Sequence, residues 1–331
     1  MSQRSSASVM RMLSASILLA LSGAVGAQQN YPNKPIRLIT PYAPGGATSI
    51  LGRLTGDKLT QAWGQQVLLD NRPGGNTAIG SEAMVKAAPD GYTLLLITST
   101  HVINSVLLPN LPYDAVKDFA PVATLAGYEP VLLVNPSLAV NSVKELIALA
   151  KSRPGQLNYA TAGGNGSATH LTGEYFNMLA GVKINQVPYK GTGPVVAALM
   201  AGEVQMHITP PAVFISAIKA GKIKALAVGG ETRLPSLPQV PTFTEAGMPA
   251  YQLKGWYGIL SPAATPKPIV ERLSQALQAI TKDPEFAASL AKMETQVFDS
   301  RFATPAQLRE RVVSQVELWS PIISKAGIEP Q

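Results

Sequence analysis

The sequence predicts an α/β fold built on parallel, doubly wound sheets, and three of its features carry this prediction. Short apolar runs alternate with amphipathic stretches along most of the chain. The apolar runs are nearly continuous, as in strands that helices cover on both faces. Glycine and proline punctuate the turns between these segments. Strands are predicted over residues 36–40, 67–69, 93–98, 122–125, 131–134, 205–208, 223–228 and 256–260.

Three helices have clear start signals. Ser142 and Glu145 have the spacing of a capping box at the start of one helix. Thr304 and Gln307 repeat this spacing near the C-terminus, and Pro268 opens a third helix. The apolar stripes expected to face the core are Val143, Leu146, Ile147 and Ala150; Ile269, Leu273, Ala276, Leu277 and Ile280; and Leu308, Val312, Val316, Trp319 and Ile323.

The N-terminus is predicted to be a secretory signal peptide covering residues 1–27. Arg4 and Arg11 form a sparse basic region, and a short apolar run follows them. Val25 and Ala27 occupy the −3 and −1 positions of a plausible cleavage site. The run is short for a permanent membrane span, so an uncut anchor is the less favoured alternative. The mature protein is therefore expected in the periplasm.

Length and composition narrow the function classes. A chain of 331 residues is long enough for about two domains. Lysine and arginine are dispersed and aromatic residues make up only 6%, which disfavours a nucleic-acid surface. No later segment is apolar enough to be embedded in a membrane. The proline-rich stretch 233–248 is predicted to be a packed connection rather than a lid.

Four glycine-rich turns share one design and are the main candidates for a binding site. They cover residues 41–49, 71–80, 161–169 and 189–194, and each precedes a predicted helix. A helix N-terminus has unpaired N–H groups and a partial positive charge, so it attracts anions. Glycine allows a ligand to approach the backbone closely. In open α/β sheets such turns lie at the ligand crevice, so an anionic ligand is expected.

Signatures of catalysis, metals and cofactors are weak. Ser167 and His170 invite a nucleophile–base interpretation, but the GxSxG elbow is missing and a serine at a helix start is usually a cap. The chain has no cysteine, and its histidines lack the spacing of zinc ligands. Phosphate-loop and dinucleotide fingerprints are missing. We therefore predict no catalytic residue, no metal and no cofactor. Lys190 and Arg72 are the best-placed charges for a carboxylate, and the alternative for each is a solvated loop residue.

The ordered motifs resemble those of the Bug-type extracytoplasmic receptors of tripartite tricarboxylate transporters. The resemblance covers nearly the whole chain after residue 30. The motifs that carry it are YPNKPI at 31–36, PYAPGGATS at 41–49, DNRPGG at 70–75, DGYTLL at 90–95, GNGSATHLTGEYF at 164–176, VPYKG at 187–191, LPQVPTFTEAG at 237–247 and WYGILSPAATP at 256–266.

The resemblance implies a type II periplasmic-binding-protein-like fold, with two doubly wound lobes joined by two crossing strands and a ligand cleft between them. It implies a first lobe of residues 28–128 and 254–331 and a second lobe of residues 129–253. Family receptors hold small carboxylates, amino acids or aromatic acids. The implied role is a monomeric receptor that delivers a small organic carboxylate to membrane transporter subunits. A sensor that signals to a membrane kinase is the alternative, and a hydrolase is a third.

Two positions depart from the family pattern. Ser49 stands where the first turn usually carries an aspartate, and Thr209 lies in a segment where relatives often have aspartates. The change at Ser49 favours a purely anionic ligand over one with an ammonium group, and the alternative role for this serine is a plain helix cap. Thr209 is expected to face the ligand as a neutral donor. The residues expected to contact the ligand are Tyr42, Ala43, Pro44, Gly45, Gly46, Thr48, Ser49, Gly74, Gly75, Asn76, Thr77, Ser99, Thr100, Gly163, Gly164, Asn165, Ser167, Ala168, Thr169, Lys190 and Thr209.

Overall fold

The structure is a computed structural model that describes residues 31–108, 110–298, 303–325 and 328. The predicted signal peptide lies outside the described residues. Two sheets form the framework. The strands are β1 (Ile36–Thr40), β2 (Val67–Asn71), β3 (Thr93–Ile97), β4 (Phe119–Tyr128), β5 (Val131–Val134), β6 (Asn158–Ala162), β7 (Asn185–Tyr189), β8 (Met206–Thr209), β9 (Lys224–Val228), β10 (Gly255–Pro262) and β11 (Thr295–Val297).

Helices follow most of the strands. They are α1 (Ala47–Trp63), α2 (Ala78–Val85), α3 (Ser99–Leu107), α4 (Val143–Ser152), α5 (Ala168–Ala180), α6 (Thr192–Ala201), α7 (Ile215–Lys219), α8 (Lys267–Thr281), α9 (Pro284–Ala291) and α10 (Pro305–Lys325), with a short 3-10 turn at Gly75–Thr77.

Both sheets have the same kind of strand order. The six-stranded sheet runs β11-β4-β10-β3-β1-β2, and the five-stranded sheet runs β7-β6-β8-β5-β9. Three neighbouring strands are parallel in each, namely β2-β1-β3 and β7-β6-β8, and the next strand, β10 or β5, is antiparallel. The prediction of parallel sheets is correct for these trios and wrong for β10 and β5. The chain reaches β5 and β10 from the other sheet. Each of these two strands therefore begins at the end of its sheet where the parallel strands finish, and it runs in the opposite direction.

Every predicted strand is present, but β6, β7 and β11 were not predicted. The sequence of β6 (NYATA) is polar or small rather than apolar, although most of it is buried. Strand β7 (NQVPY) contains Pro188 and is only partly buried. It lies at the edge of its sheet, where proline is tolerated because no ladder bond is lost. Neither strand shows the apolar run on which the prediction depended.

The predicted helix starts at Ser142 and Thr304 are confirmed by their hydrogen bonds. The Ser142 hydroxyl accepts from the Glu145 N–H at 3.2 Å. The Thr304 hydroxyl accepts from the Gln307 N–H at 3.3 Å, and the Gln307 side chain accepts from the Thr304 N–H at 3.4 Å. These bonds satisfy N–H groups that the first helical turn leaves unpaired.

Each sheet is covered on both faces, which explains its continuous apolar strands. In β3 every residue is buried. Its Leu94 and Leu96 pack into one core, whereas Leu95 and Ile97 pack into another on the opposite face. In β5, Leu132 likewise belongs to one core of the five-stranded sheet, whereas the residues immediately before and after it belong to the core on the other face. Alternate side chains thus serve two cores.

The proline-rich stretch 233–248 packs onto the five-stranded sheet, as predicted for a connection. Its side chains Leu234, Leu237, Val240, Phe243 and Met248 are buried. The Phe243 ring stacks on Tyr251 with centroids 4.1 Å apart. None of the described helices is long and apolar enough to cross a bilayer.

An apolar joint connects the two halves of the molecule. Ile103 and Leu107 of α3, and Trp319 and Ile323 of α10, belong to the same buried cluster as the core of the five-stranded sheet. Helix α3 follows β3 of the other sheet. The halves are therefore held by buried side chains as well as by the chain crossings.

Two buried histidines should make stability depend on pH. Burial lowers the pKa of His101 and His207 to about 4, whereas an unfolded histidine titrates near 6.5. Between these values the unfolded chain binds protons that the folded chain does not, so stability falls as pH drops from 6.5 towards 4. At pH 5 the expected loss is about 2 kcal/mol per histidine. Urea unfolding at pH 7 and pH 5 measures this loss of stability. The variant His207→Gln should reduce the difference in unfolding free energy between the two pH values. An equal pH 7-to-5 difference in the wild type and His207→Gln would contradict the prediction.

Candidate functional site

A cavity of about 70 Å³ lies between the two sheets, where turns from both halves meet. No charged side chain is among its described lining residues. The wall combines small residues, hydroxyls and three tyrosines. It consists of Tyr42, Ala43, Gly46, Ala47, Thr48, Thr98, Thr100, Tyr128, Ala162, Ser167, Ala168, Thr169, Gly191, Thr192, Thr209, Pro210 and Tyr257.

Four helix N-termini reach this cavity. Helices α1 and α3, which follow strands of the six-stranded sheet, contribute residues 46–48 and the pair Thr98 and Thr100. Helices α5 and α6, which follow strands of the five-stranded sheet, contribute residues 167–169 and 191–192. The positive ends of four helix dipoles are thus directed at one space, two from each side.

Two of these N-termini have no side-chain cap. Helix α1 begins after Gly46 and α6 after Gly191, and neither glycine can cover the first N–H groups. In contrast, the hydroxyl of Thr98 accepts from the Thr100 N–H, and that of Ser167 accepts from the His170 N–H. The starts of α1 and α6 therefore line the same cavity without side-chain caps, and their first N–H groups are donors that an anion can use.

The two sides of the cleft touch around the cavity. The Ala168 N–H at the start of α5 donates to the Thr100 hydroxyl of α3 at 3.1 Å. A methyl group built on Gly46 would lie 3.3 Å from the Thr192 hydroxyl oxygen, and one on Gly191 would lie 3.1 Å from the Ala43 methyl carbon. Glycine at these two positions permits the close approach.

Three tyrosines add phenol groups to the wall of the first cavity. The Tyr42 hydroxyl lies 2.6 Å from the Thr98 hydroxyl. The buried Tyr257 hydroxyl has no hydrogen-bond partner among the described residues, and its ring packs against Tyr128. Burial raises the pKa of all three phenols, so they stay neutral and can donate a proton to an acceptor. Tyr128 and Tyr257 were not predicted as site residues, because an aromatic residue near the end of a strand has the pattern of a core residue.

A second, larger cavity of about 710 Å³ adjoins the first. The two share Tyr42, Ala43 and Ala162 as common walls. Most of the second wall is apolar, and Lys190 is the charged residue among its described lining. The full lining is Pro41, Tyr42, Ala43, Pro73, Gly74, Gly75, Asn76, Thr77, Ala162, Gly163, Gly164, Pro188, Tyr189 and Lys190.

The turn 74–77 has four consecutive residues with positive φ. Gly74 and Gly75 adopt φ of 121° and 53°, while Asn76 and Thr77 adopt 50° and 76°. Such values are costly for a β-branched residue. The fully buried Asn104 holds the turn: its amide donates to the Asn76 carbonyl at 2.6 Å and to the Thr77 hydroxyl at 3.2 Å, and it accepts from the Asn76 amide. Asn104 was not predicted, since nothing local distinguishes it.

The structure divides the predicted site residues between the two cavities. Five of them line neither: Pro44, Gly45, Ser49, Ser99 and Asn165. The first cavity contains Tyr42, Ala43, Gly46, Thr48, Thr100, Ser167, Ala168, Thr169 and Thr209. The second contains Gly74, Gly75, Asn76, Thr77, Gly163, Gly164 and Lys190, together with Tyr42 and Ala43.

Ser49 supports the first turn from behind. Its hydroxyl lies 3.4 Å from the Ala43 carbonyl and accepts from the Asn71 amide at 2.9 Å. The same amide donates to the Tyr42 carbonyl at 2.9 Å. Arg72, predicted as a charge for a carboxylate, instead pairs with Asp70 at 2.7 Å.

Ser167 and His170 are arranged as structural groups and not as a nucleophile and its base. The Ser167 hydroxyl donates to the Gly164 carbonyl at 2.8 Å and caps α5. The His170 ring accepts from the Gly166 N–H through Nδ1 at 2.9 Å, and burial lowers its pKa. No group of three metal-ligating side chains occurs within the described residues.

Fold and site together define a class of two-lobed binding protein, and sequence comparison gives the family. Residues 51–328 match the family of tripartite tricarboxylate transporter receptors, and the chain belongs to it. The structure of the periplasmic binding protein BugD is similar with a TM-score of 0.86 and 31% identity, covering 91% of this chain and 100% of BugD. The type II-like arrangement of two lobes is therefore confirmed.

Two further solved structures are similar, and both contain organic acids. Rpa4515 of R. palustris with adipate has a TM-score of 0.86 and 32% identity, covering 91% of this chain and 100% of that one. MatC from Rhodopseudomonas palustris with bound malate has a TM-score of 0.84 and 30% identity, covering 88% and 100%.

Asn104→Leu should release the turn 74–77. Loss of the amide leaves the Asn76 carbonyl and side chain unpaired, so we expect a loss of about 2–4 kcal/mol in unfolding free energy. Hydrogen exchange in residues 72–80 should also accelerate. The matched control is Asn135→Leu, because Asn135 is buried and donates to the Leu199 and Met200 carbonyls away from both cavities. The control should lose similar stability without accelerating exchange at 72–80. Unchanged exchange in Asn104→Leu would contradict the role assigned to this amide.

Proposed function

We propose that this protein is an extracytoplasmic solute receptor that captures a small organic carboxylate and performs no catalysis. The observation that carries the proposal is the set of four helix N-termini around one cavity with no charged lining residue among the described ones. Backbone N–H groups, hydroxyls and phenols can surround a carboxylate with donors on several sides. Because these donors are fixed by the fold, little is lost in ordering them on binding.

The same wall disfavours ligands that carry an ammonium group. Neither cavity has an aspartate or glutamate among its described lining residues. An amino acid would leave its positive charge buried among helix N-termini, where desolvation and the dipoles both oppose it. The proposed substrate class is therefore anionic organic acids without a compensating cation.

Family membership supports delivery of the acid to a membrane transporter of the tripartite tricarboxylate type. The adipate and malate complexes of relatives support the carboxylate class. We propose that the mature chain acts in the periplasm after cleavage of residues 1–27, with lobes of 28–128 plus 254–331 and of 129–253. Closure of these lobes around the acid would present the loaded receptor to the membrane subunits.

Calorimetry with matched acids tests the proposed ligand class. We expect saturable one-to-one binding of at least one simple carboxylate, and binding of aspartate at least about tenfold weaker than that of succinate, since the two differ by a buried ammonium group. Glutamate and glutarate provide a second pair. Failure of every mono-, di- and tricarboxylate to bind would remove the proposal, and preference for the amino acids would overturn the proposed class.

Gly46→Ala should weaken binding by obstructing the contact between the lobes. Gly46 has φ of −85° and ψ of 171°, which alanine adopts without strain, so the effect comes from the methyl group 3.3 Å from the Thr192 hydroxyl. We expect about a tenfold higher Kd, which corresponds to about 1.4 kcal/mol.

The control for this variant is Gly193→Ala. Gly193 also lies in the first turn of a cleft helix, but a methyl group there meets no atom within 4 Å. Its Kd should stay within about twofold of the wild type, because no contact changes. Equal losses in the two variants would show that the approach at Gly46 does not govern binding.

A further inference from the structure

The turn of residues 163–168, which we call the β6–α5 turn, meets the opposite half of the molecule, and one histidine fixes its shape. We infer that His170 is a positioning residue of the cleft: its neutral ring accepts the Gly166 N–H and so holds the β6–α5 turn in the form that meets the other half. The effect on ligand affinity rests on the proposed function, because the cleft must bind an acid for this turn to influence it. The effect on the turn itself needs no ligand.

The β6–α5 turn has two contacts with the half that contains the six-stranded sheet. The Ala168 N–H donates to the Thr100 hydroxyl at 3.1 Å. The side-chain amide of Asn76 lies against the turn as well, since a methyl group built on Gly166 would lie 3.1 Å from the Asn76 amide nitrogen. Both contacts depend on the backbone of the turn, one through an N–H group and the other through the lack of a side chain.

His170 reaches back from the first turn of α5 to hold this backbone. Its Nδ1 accepts from the buried Gly166 N–H at 2.9 Å. Gly166 has a φ of 74°, in the left-handed region that favours glycine. The Ser167 hydroxyl accepts from the His170 N–H at 3.2 Å, so the ring and the turn are bonded to each other in both directions. Without the ring, a buried N–H group would lose its acceptor, which is costly.

Only a neutral ring can accept this bond. A protonated imidazole carries a hydrogen on both nitrogens, so Nδ1 would present a donor to the Gly166 N–H. Two donors that face each other do not form a hydrogen bond, and the ring or the turn must then move. The bond therefore makes the shape of the β6–α5 turn depend on the charge of His170.

The surroundings of the ring favour the neutral form. Burial lowers the pKa of His170, and the Glu174 carboxylate on the same helix opposes this with a smaller effect. From β6, the Tyr159 hydroxyl donates to the His170 carbonyl at 3.4 Å and to Glu174 at 2.6 Å. Strand β8 and helices α3 and α10 contribute apolar side chains to the cluster against which α5 packs, among them Met206, Leu107 and Trp319.

Acid should therefore release the turn. A ring that has moved into water titrates near 6.5, whereas burial keeps its pKa below that value while the turn is held. The released form binds protons more readily, so the held form loses stability as the pH falls below about 6.5. Affinity for an acid ligand should fall over the same range, because the closed cleft requires the held turn.

Two substitutions separate the acceptor from the charge. In His170→Asn the side-chain oxygen, bonded to Cγ like Nδ1, can accept the Gly166 N–H but does not titrate. In His170→Leu no acceptor remains. Hydrogen exchange of residues 164–168 at pH 7 should accelerate at least about tenfold in His170→Leu and stay within about threefold of the wild type in His170→Asn.

Lowering the pH from 7 to 5 provides the readout that a purely structural role would not change. Protection of residues 164–168, corrected for the intrinsic exchange rate, should fall at least about fivefold in the wild type and less than about twofold in His170→Asn. Calorimetry with succinate, malate and adipate should show the same pattern. The Kd of the tightest of the three should rise about fivefold more in the wild type than in His170→Asn, a comparison in which protonation of the acid itself cancels.

His101→Gln is the matched control, because His101 is also a buried histidine but lies outside both cavities. Its Nε2 lies 3.0 Å from the Ala115 carbonyl, where a glutamine amide can donate instead. Exchange at 164–168 and Kd in this control should follow the wild type at both pH values. The inference is overturned if His170→Leu exchanges like the wild type there, or if His170→Asn keeps the wild-type pH dependence. If exchange behaves as expected but none of the three acids binds the wild type, it is the proposed function that fails.

Discussion

Unpaired N–H groups at the starts of helices govern the design of this cleft. Helices α1 and α6 begin after Gly46 and Gly191 without side-chain caps, so their first donors remain open to the cavity. A single helix start of this kind, exposed to bulk water, would bind an anion only weakly. Because both helix starts line one cavity from opposite lobes, their partial positive charges act on the same negative group and reinforce each other.

The positions of these helix starts depend on the rest of the fold. The parallel strands β1, β3, β6 and β7 end at the cleft, so the helices that follow them, α1, α3, α5 and α6, start there. The amides of Asn71 and Asn104 hold turns that line the cavities. The apolar joint packs α3 and α10 against the core of the five-stranded sheet. The binding donors therefore depend on packing that lies well outside the cavities.

The described wall of the first cavity has no charged side chain. Buried tyrosines with raised pKa values remain donors rather than charges. Thr209 and Ser49 add hydroxyls where carboxylates would repel an anion, although only Thr209 lines a cavity. The donors that this wall offers to an acid group are therefore backbone N–H groups, hydroxyls and phenols rather than charged side chains.

The sequence by itself determined the alternation of strands and helices, the caps at Ser142 and Thr304, and the glycine-rich turns that reach the cleft. These features are local, because they depend on the periodicity of apolar residues and on residue types that suit a single turn. Only the tertiary structure decided that the turns form two cavities, that Tyr128, Tyr257 and Asn104 belong to the site, and that Ser49 stands behind it. The antiparallel strands β5 and β10 and the polar strand β6 also required it. Each of these depends on contacts between residues far apart in the chain, and local propensity carries no information about such contacts.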